Sequence, residues 1–196
     1  MPNYCNNHLT IKSPTLGQSL EAILGPFLDE EGSLDFEKIA PTPKGLSPEQ
    51  GQEWRVQNWG TKWSPEEITI DEDLGAVSFV TAWDPPDRLV VALAKRTQAV
   101  WQLEWAELGN AICGRLLADA EGIQEEQNWE PRKSPKAFRE KMGIHEEDLW
   151  TPEEIAERRE KTQRKKTQRK AKKAVQVLKS KRSGTKGEKE GEMLEI

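Results

Sequence analysis

The chain has 196 residues, 35% hydrophobic and 32% charged, a balance that leaves a substantial segment outside any packed core. Two cysteines are too few for a disulfide framework, no basic-then-apolar leader is visible, and no apolar run approaches membrane-spanning length. A net charge of -5 conceals a division: residues 1–130 carry 9 Lys/Arg against 22 Asp/Glu, net −13, and residues 131–196 carry 20 against 12, net +8.

Tyr4 to Ser13 reads as a strand with Cys5, Leu9 and Ile11 on one face. Ser13 is placed to cap a helix with Pro14 at its first position, and Leu16, Leu20, Ile23, Leu24 and Phe27 form one apolar stripe until Gly25-Pro26 tightens its end. Residues 29–64 are irregular, with a short strand at Leu34 to Phe36 and an extended, proline-restricted stretch from Ile39 to Pro43. Glu67 to Ile70 and Ala76 to Trp83 then form a hairpin through Asp71–Gly75. Pro85-Pro86-Asp87 stops that strand and opens a helix carrying Leu89, Val90, Leu93 and Ala94. Two further strands follow, Val100 to Glu107 and Ala111 to Ala118.

Beyond Gly122 periodicity is lost. Residues 123–150 read as a charged connector, with Trp129, Phe138, Met142 and Trp150 scattered through it. Thr151-Pro152-Glu153-Glu154 is a strong helix start. The run to about Arg182 has no proline or glycine, and Lys161-Thr162-Gln163-Arg164-Lys165 repeats directly as Lys166-Thr167-Gln168-Arg169-Lys170. Its one apolar stripe, Ala171, Ala174, Val175 and Leu178, is short, so the helix is polar nearly all round. Residues 183–196 are expected to be a disordered tail. The organisation expected is a domain over 1–122, a connector over 123–150, a basic helix over 151–182 and that tail.

Four stretches, Pro2–Ile11, Asn58-Trp59-Gly60-Thr61-Lys62-Trp63, Thr81-Ala82-Trp83-Asp84-Pro85-Pro86 and Glu107–Gly114, resemble the YubB-type ferredoxin-like domain family of phage, plasmid and integrated-element proteins. The resemblance covers roughly residues 1–122. It implies a ferredoxin-like α+β fold, an antiparallel sheet with two helices on one face and here an appended strand, together with a mobile-element origin. It carries no activity. Periodicity alone predicts only an α+β chain.

For function, the acid-free run 161–186, with 12 Lys/Arg, is the strongest candidate. Lys161, Arg164, Lys165, Lys166, Arg169, Lys170, Lys172 and Lys173 would contact phosphates without reading sequence, since no aromatic residue is interleaved. A solvated tail is the blander reading. The tryptophans invite comparison with base-stacking platforms on related sheets, but a small domain needs aromatic bulk in its core and an acidic body opposes phosphate. We therefore read Asn58, Trp59, Gly60, Thr61, Lys62, Trp63, Trp83 and Pro85 as structural, with at least two of Trp59, Trp63 and Trp83 largely buried. Exposed acids at Asp29, Glu30, Glu31, Glu67, Asp71, Glu72 and Asp73 suggest instead a body that occupies a basic groove on a host or defence protein.

Catalytic patterns are weak, and no enzyme is expected; a small hydrolase using the Trp59-Gly60-Thr61-Lys62-Trp63 loop is the third and least favoured alternative. Cys5 and His8 fall on opposite faces of a strand, His145 has no ligand-type neighbour in sequence, and no phosphate loop or nucleophile motif is present, so neither cofactor nor metal is expected. Glu107, an acid position in the resembled family too, suits a structural role as well as a catalytic one. The expectation is a cytoplasmic, macromolecule-binding accessory protein whose partner is nucleic acid or a host protein.

Overall fold

A computed structural model describes residues 3–13 and 19–184. These fall into two compact units that divide between His145 and Glu146. The first is a six-stranded antiparallel sheet in the order β2-β3-β1-β4-β5-β6. Its strands are β1 (Tyr4–Ser13), β2 (Glu66–Asp71), β3 (Ala76–Ala82), β4 (Val100–Glu107), β5 (Ile112–Asp119) and β6 (Gly122–Trp129). The helices are α1 (Leu20–Leu24, continued by a tight turn at Gly25–Phe27), α2 (Phe36–Ile39), α3 (Pro48–Trp59), α4 (Asp87–Thr97) and α5 (Lys136–Lys141). The order of β1 to β4 is that of a ferredoxin-like domain, and β5 and β6 extend it beyond β4.

One face of this sheet carries the core. Cys5 and Leu9 of β1, Val77 and Phe79 of β3, Trp101, Leu103 and Trp105 of β4 and Leu116 and Ala118 of β5 alternate onto it. They meet Leu20, Ile23 and Leu24 of α1, Phe36 and Ile39 of α2, Trp59 of α3, and Leu89, Val90, Leu93 and Ala94 of α4. Burying each large side chain contributes about 1.5–3 kcal/mol relative to exposure, which favours this one layered arrangement.

Several boundaries differ from expectation. Ser19, not Ser13, caps the first helix, accepting from the Ala22 N–H at 3.1 Å; Ser13 ends β1, and Pro14 and Leu16 lie outside the described residues. Phe36 opens a helix, and Leu34 forms only an isolated bridge with Leu28. The irregular segment contains α3, started by a capping box between Ser47 and Gln50 and stopped at Gly60 in the left-handed region (φ 91°). The expected connector begins with β6, which pairs with β5 after a turn in which the Asp119 carboxylate accepts from the N–H groups of Glu121 and Gly122. β6 shows no alternation because six successive residues, Ile123 to Asn128, are exposed on both faces. Beyond it, Phe138 of α5 is buried and its ring lies 5.0 Å from that of Trp129.

The second unit holds α6 (Glu146–Leu149) and α7 (Pro152–Gly184). Thr151 and Glu154 close a capping box at the start of α7, with bonds of 2.9 and 3.3 Å. Its 33 residues span about 50 Å. The side chains of Ala174, Val175 and Leu178, and the whole of residues 185–196, lie outside the described residues, so all of the apolar stripe but the exposed Ala171, and most of the expected tail, do too. No described helix is long and apolar enough to cross a membrane.

Candidate nucleic-acid interface and the signature cluster

All eight cations expected to meet phosphate, Lys161, Arg164, Lys165, Lys166, Arg169, Lys170, Lys172 and Lys173, lie on α7 with exposed side chains. Two have acidic partners one turn back: Lys161 with Glu157 at 2.6 Å and Arg164 with Glu160 at 2.7 Å. Glutamate four residues before the cation is the favourable order, although an exposed pair contributes only a few tenths of a kcal/mol. Among the described residues the other six have no ion pair. Lys161, Lys165, Arg169 and Lys173 follow one another at four-residue steps, so like charges stack along one side and disfavour the isolated helix. An anionic partner would relieve that repulsion.

The signature residues, separate in sequence, converge at one end of the sheet. Trp59, at the end of α3, is buried and donates its indole N–H to Ala40 O at 2.8 Å, with Phe36 edge-on at 5.6 Å. Gly60 lets the chain turn against Pro85 and Asp87, where an added Cβ would lie 2.2 Å from Asp87 Oδ1 and 2.7 Å from Pro85 O. Thr61 follows, buried, and donates to Ala82 O at 3.0 Å. Asn7 donates to Thr81 Oγ1, and Thr81 in turn to Asp84 O, both at 2.8 Å. The Asp84 N–H returns to Ala82 O at 2.8 Å around Trp83, whose φ of 70° makes this a strained γ-turn. Asn3 O accepts from the Trp83 N–H at 2.9 Å. Across the same end, buried Glu107 accepts from the N–H groups of Gly109 and Asn110 at 2.7 Å each, closing the β4–β5 turn.

Trp63 and Trp83 are partly buried, more covered than exposed, and Trp59 is the one of the three that sits wholly in the core. The Lys62 ammonium stands 5.2 Å over the Trp83 ring. Asn58 is exposed and its amide caps Trp54 O at 2.8 Å. Burial, and then the Glu107 charge, push the Asp84 carboxyl above its usual range, while Lys62 opposes them. Burial pushes the Cys5 thiol to about 12, which makes it inert as a nucleophile near neutral pH.

Trp101 and Trp105 point into the core beneath the helices. On the opposite sheet face the described strands place only Tyr4 and Trp129 as aromatic residues, and Trp129 is in contact with Phe138. That face is crossed instead by a polar row that the sequence did not reveal, Thr69–Ser78–His8–Glu104–Arg115–Gln127, one residue from each strand in direct register. His8 Nδ1 lies 3.0 Å from Ser78 Oγ. Lys141 reaches back to pair with buried Glu104, and a cleft of about 200 Å³ beside it is lined by Asn6, His8, Ser78 and Met142 among others. Such a row forms from strands paired at long range, so no local spacing encodes it. Cys5 and His8 do diverge to opposite faces, and among the described residues no three His, Cys, Asp or Glu side chains cluster as metal ligands.

Residues 58–148, a little under half the chain, match the family model of the ferredoxin-like domain in Api92-like protein. A solved structure, protein api92 from Yersinia pseudotuberculosis, is similar over 48% of this chain and 39% of its own, at 18% identity and a TM-score of 0.42. The chain thus spans about two fifths of that protein. No curated protein matches the sequence. The matched segment takes in three of the four signature stretches, all but Pro2–Ile11, and runs through β6 and α5.

Proposed function

We propose that the protein is a non-enzymatic accessory factor of a mobile element, acting inside a bacterial cell, that binds nucleic acid through α7 without reading sequence. The single observation that carries this reading is the solvent-exposed, acid-free run of cations from Lys161 to Lys173, six of them without an ionic partner among the described residues. Phosphate contacts would release condensed counterions and supply most of the affinity. The YubB-type grouping and the phage or plasmid origin belong to this proposal.

A second reading rests on the body. Asp29, Glu30, Glu31, Glu67, Asp71, Glu72 and Asp73 are all exposed and could engage a basic groove on a host or defence protein, a counter-defence role. Two of the seven have local work to do: Asp29 accepts from the N–H groups of Glu31 and Ser33, and Asp71 from that of Leu74. Capture from bacterial lysate separates the readings. Nuclease treatment is expected to release what the full chain captures; a protein that stays bound after nuclease supports the acidic body instead.

A further inference from the structure

We infer that the ligand of α7 is B-form duplex DNA, engaged in the major groove, rather than duplex RNA, a single strand or a flat anionic surface. This rests on the proposed function and narrows it to a substrate class.

The argument is the distribution of charge around the helix. Positions four apart fall in rows along an α-helix, and residues 161–173 make four such rows. The central one, Lys161, Lys165, Arg169 and Lys173, is wholly cationic and about 18 Å long. On one side of it lie Lys166 and Lys170, on the other Arg164 and Lys172. The fourth row, Gln163, Thr167 and Ala171, carries no charge. All these side chains are exposed. The helix is therefore a rod with cations on three sides and one neutral back.

A flat anionic surface or a single phosphate strand can meet only one side of such a rod, leaving the flanking cations unused. A groove walled by two phosphate backbones meets three. The major groove of B-DNA is about 12 Å wide and admits an α-helix, whose own diameter is about 10–12 Å. Seated there with the neutral row outward, α7 directs Lys166 and Lys170 to one backbone and Arg164 and Lys172 to the other. The middle of the central row, Lys165 and Arg169, faces the groove floor and meets its negative potential without a fixed base partner. The major groove of A-form RNA is too deep and narrow for side chains to read, and its shallow minor groove offers no such three-sided fit. The long helix, continuous through this segment without proline or glycine, is the rigid element such seating requires.

The test titrates the full chain, by fluorescence anisotropy, with a mixed-sequence duplex DNA, the same sequence as duplex RNA, its single strand, and phosphatidylserine vesicles. Duplex DNA is expected to bind at least about tenfold more tightly than any other. A dye occupying the major groove should compete, and one occupying the minor groove should not. K166Q/K170Q and R164Q/K172Q should each weaken duplex binding by about fivefold or more, because each removes one wall of contacts. T167Q/A171Q, on the neutral row, should stay within about twofold of the unchanged chain in the same assay. Circular dichroism of each variant confirms the helix. Equal or tighter binding to RNA, single strand or vesicles, or indifference to either flank, overturns the duplex-DNA inference while leaving α7 as an anion-binding helix. No binding to any of the four overturns the proposed function with it.

Discussion

Gly60 and Glu107 are each fitted to their place by a contact that no other residue type reproduces. Any side chain at Gly60 is strained by the left-handed backbone, about 1–2 kcal/mol, and its Cβ would strike the Pro85 carbonyl. Gly60→Ala should therefore destabilise by at least about 2 kcal/mol, read as a lowered urea midpoint at unchanged slope. Glu107→Gln keeps the size but turns one acceptor into a donor facing a backbone N–H, at a cost of about 1–3 kcal/mol. The same variant should lower the Asp84 pKa, since the Glu107 charge is one cause of its elevation. Carboxyl titration followed by NMR checks the shift. His8 adds a pH signature. Burial first, then Lys141 and Lys12, hold it below its ordinary value of 6.5, with Glu104 and Asp71 opposing. The unfolded chain then takes up a proton that folded His8 resists, so stability is lost as pH falls from about 6.5 toward the folded pKa. His8→Gln should flatten that part of the stability–pH curve, and an unchanged slope would contradict the assignment.

At the scale of elements, Trp59 links α3 to the body. Trp59→Ala should cost about 3–5 kcal/mol, and Trp63→Ala and Trp83→Ala distinctly less, because partly exposed rings leave smaller cavities. Thermal and urea unfolding of the three variants checks this ranking. The same comparison explains what was legible in the chain. β1, β3 and α4 alternate or recur cleanly because each has one mainly buried face, so their residues announce both type and orientation; β4 shows the same apolar alternation although it is buried on both faces from Leu103 to Glu107. α3 buries only Gly51 and Trp59 and so has almost no apolar stripe; its Ser47-Pro48-Glu49-Gln50 start was the one available signal. β6 is wet on both faces and exists by pairing with β5, a long-range cause that local periodicity cannot carry. For the candidate site, the cations of α7 were readable because charge and helical spacing are both local. The convergence of Asn7, Thr61, Thr81 and Glu107 was not, since it depends on the register of β1 against β3 and β4.

For the molecule as a whole, the decisive feature is the division of charge between an acidic ferredoxin-like unit and a cationic helix. If α7 carries the affinity, electrostatics must dominate the equilibrium, and this has a quantitative consequence. The most direct test is the slope of log binding constant against log salt for duplex DNA, measured on the full chain. It is compared with a variant in which Lys161, Arg164, Lys165, Lys166, Arg169, Lys170, Lys172 and Lys173 are glutamine. Neutralising a phosphate with each of the four flanking cations, Arg164, Lys166, Lys170 and Lys172, predicts a slope of about −3.6 for the full chain. The glutamine variant should show little binding at any salt while keeping the melting temperature of the first unit. A slope near zero, or equal binding by both proteins, would contradict the account and move the site of action to the acidic body.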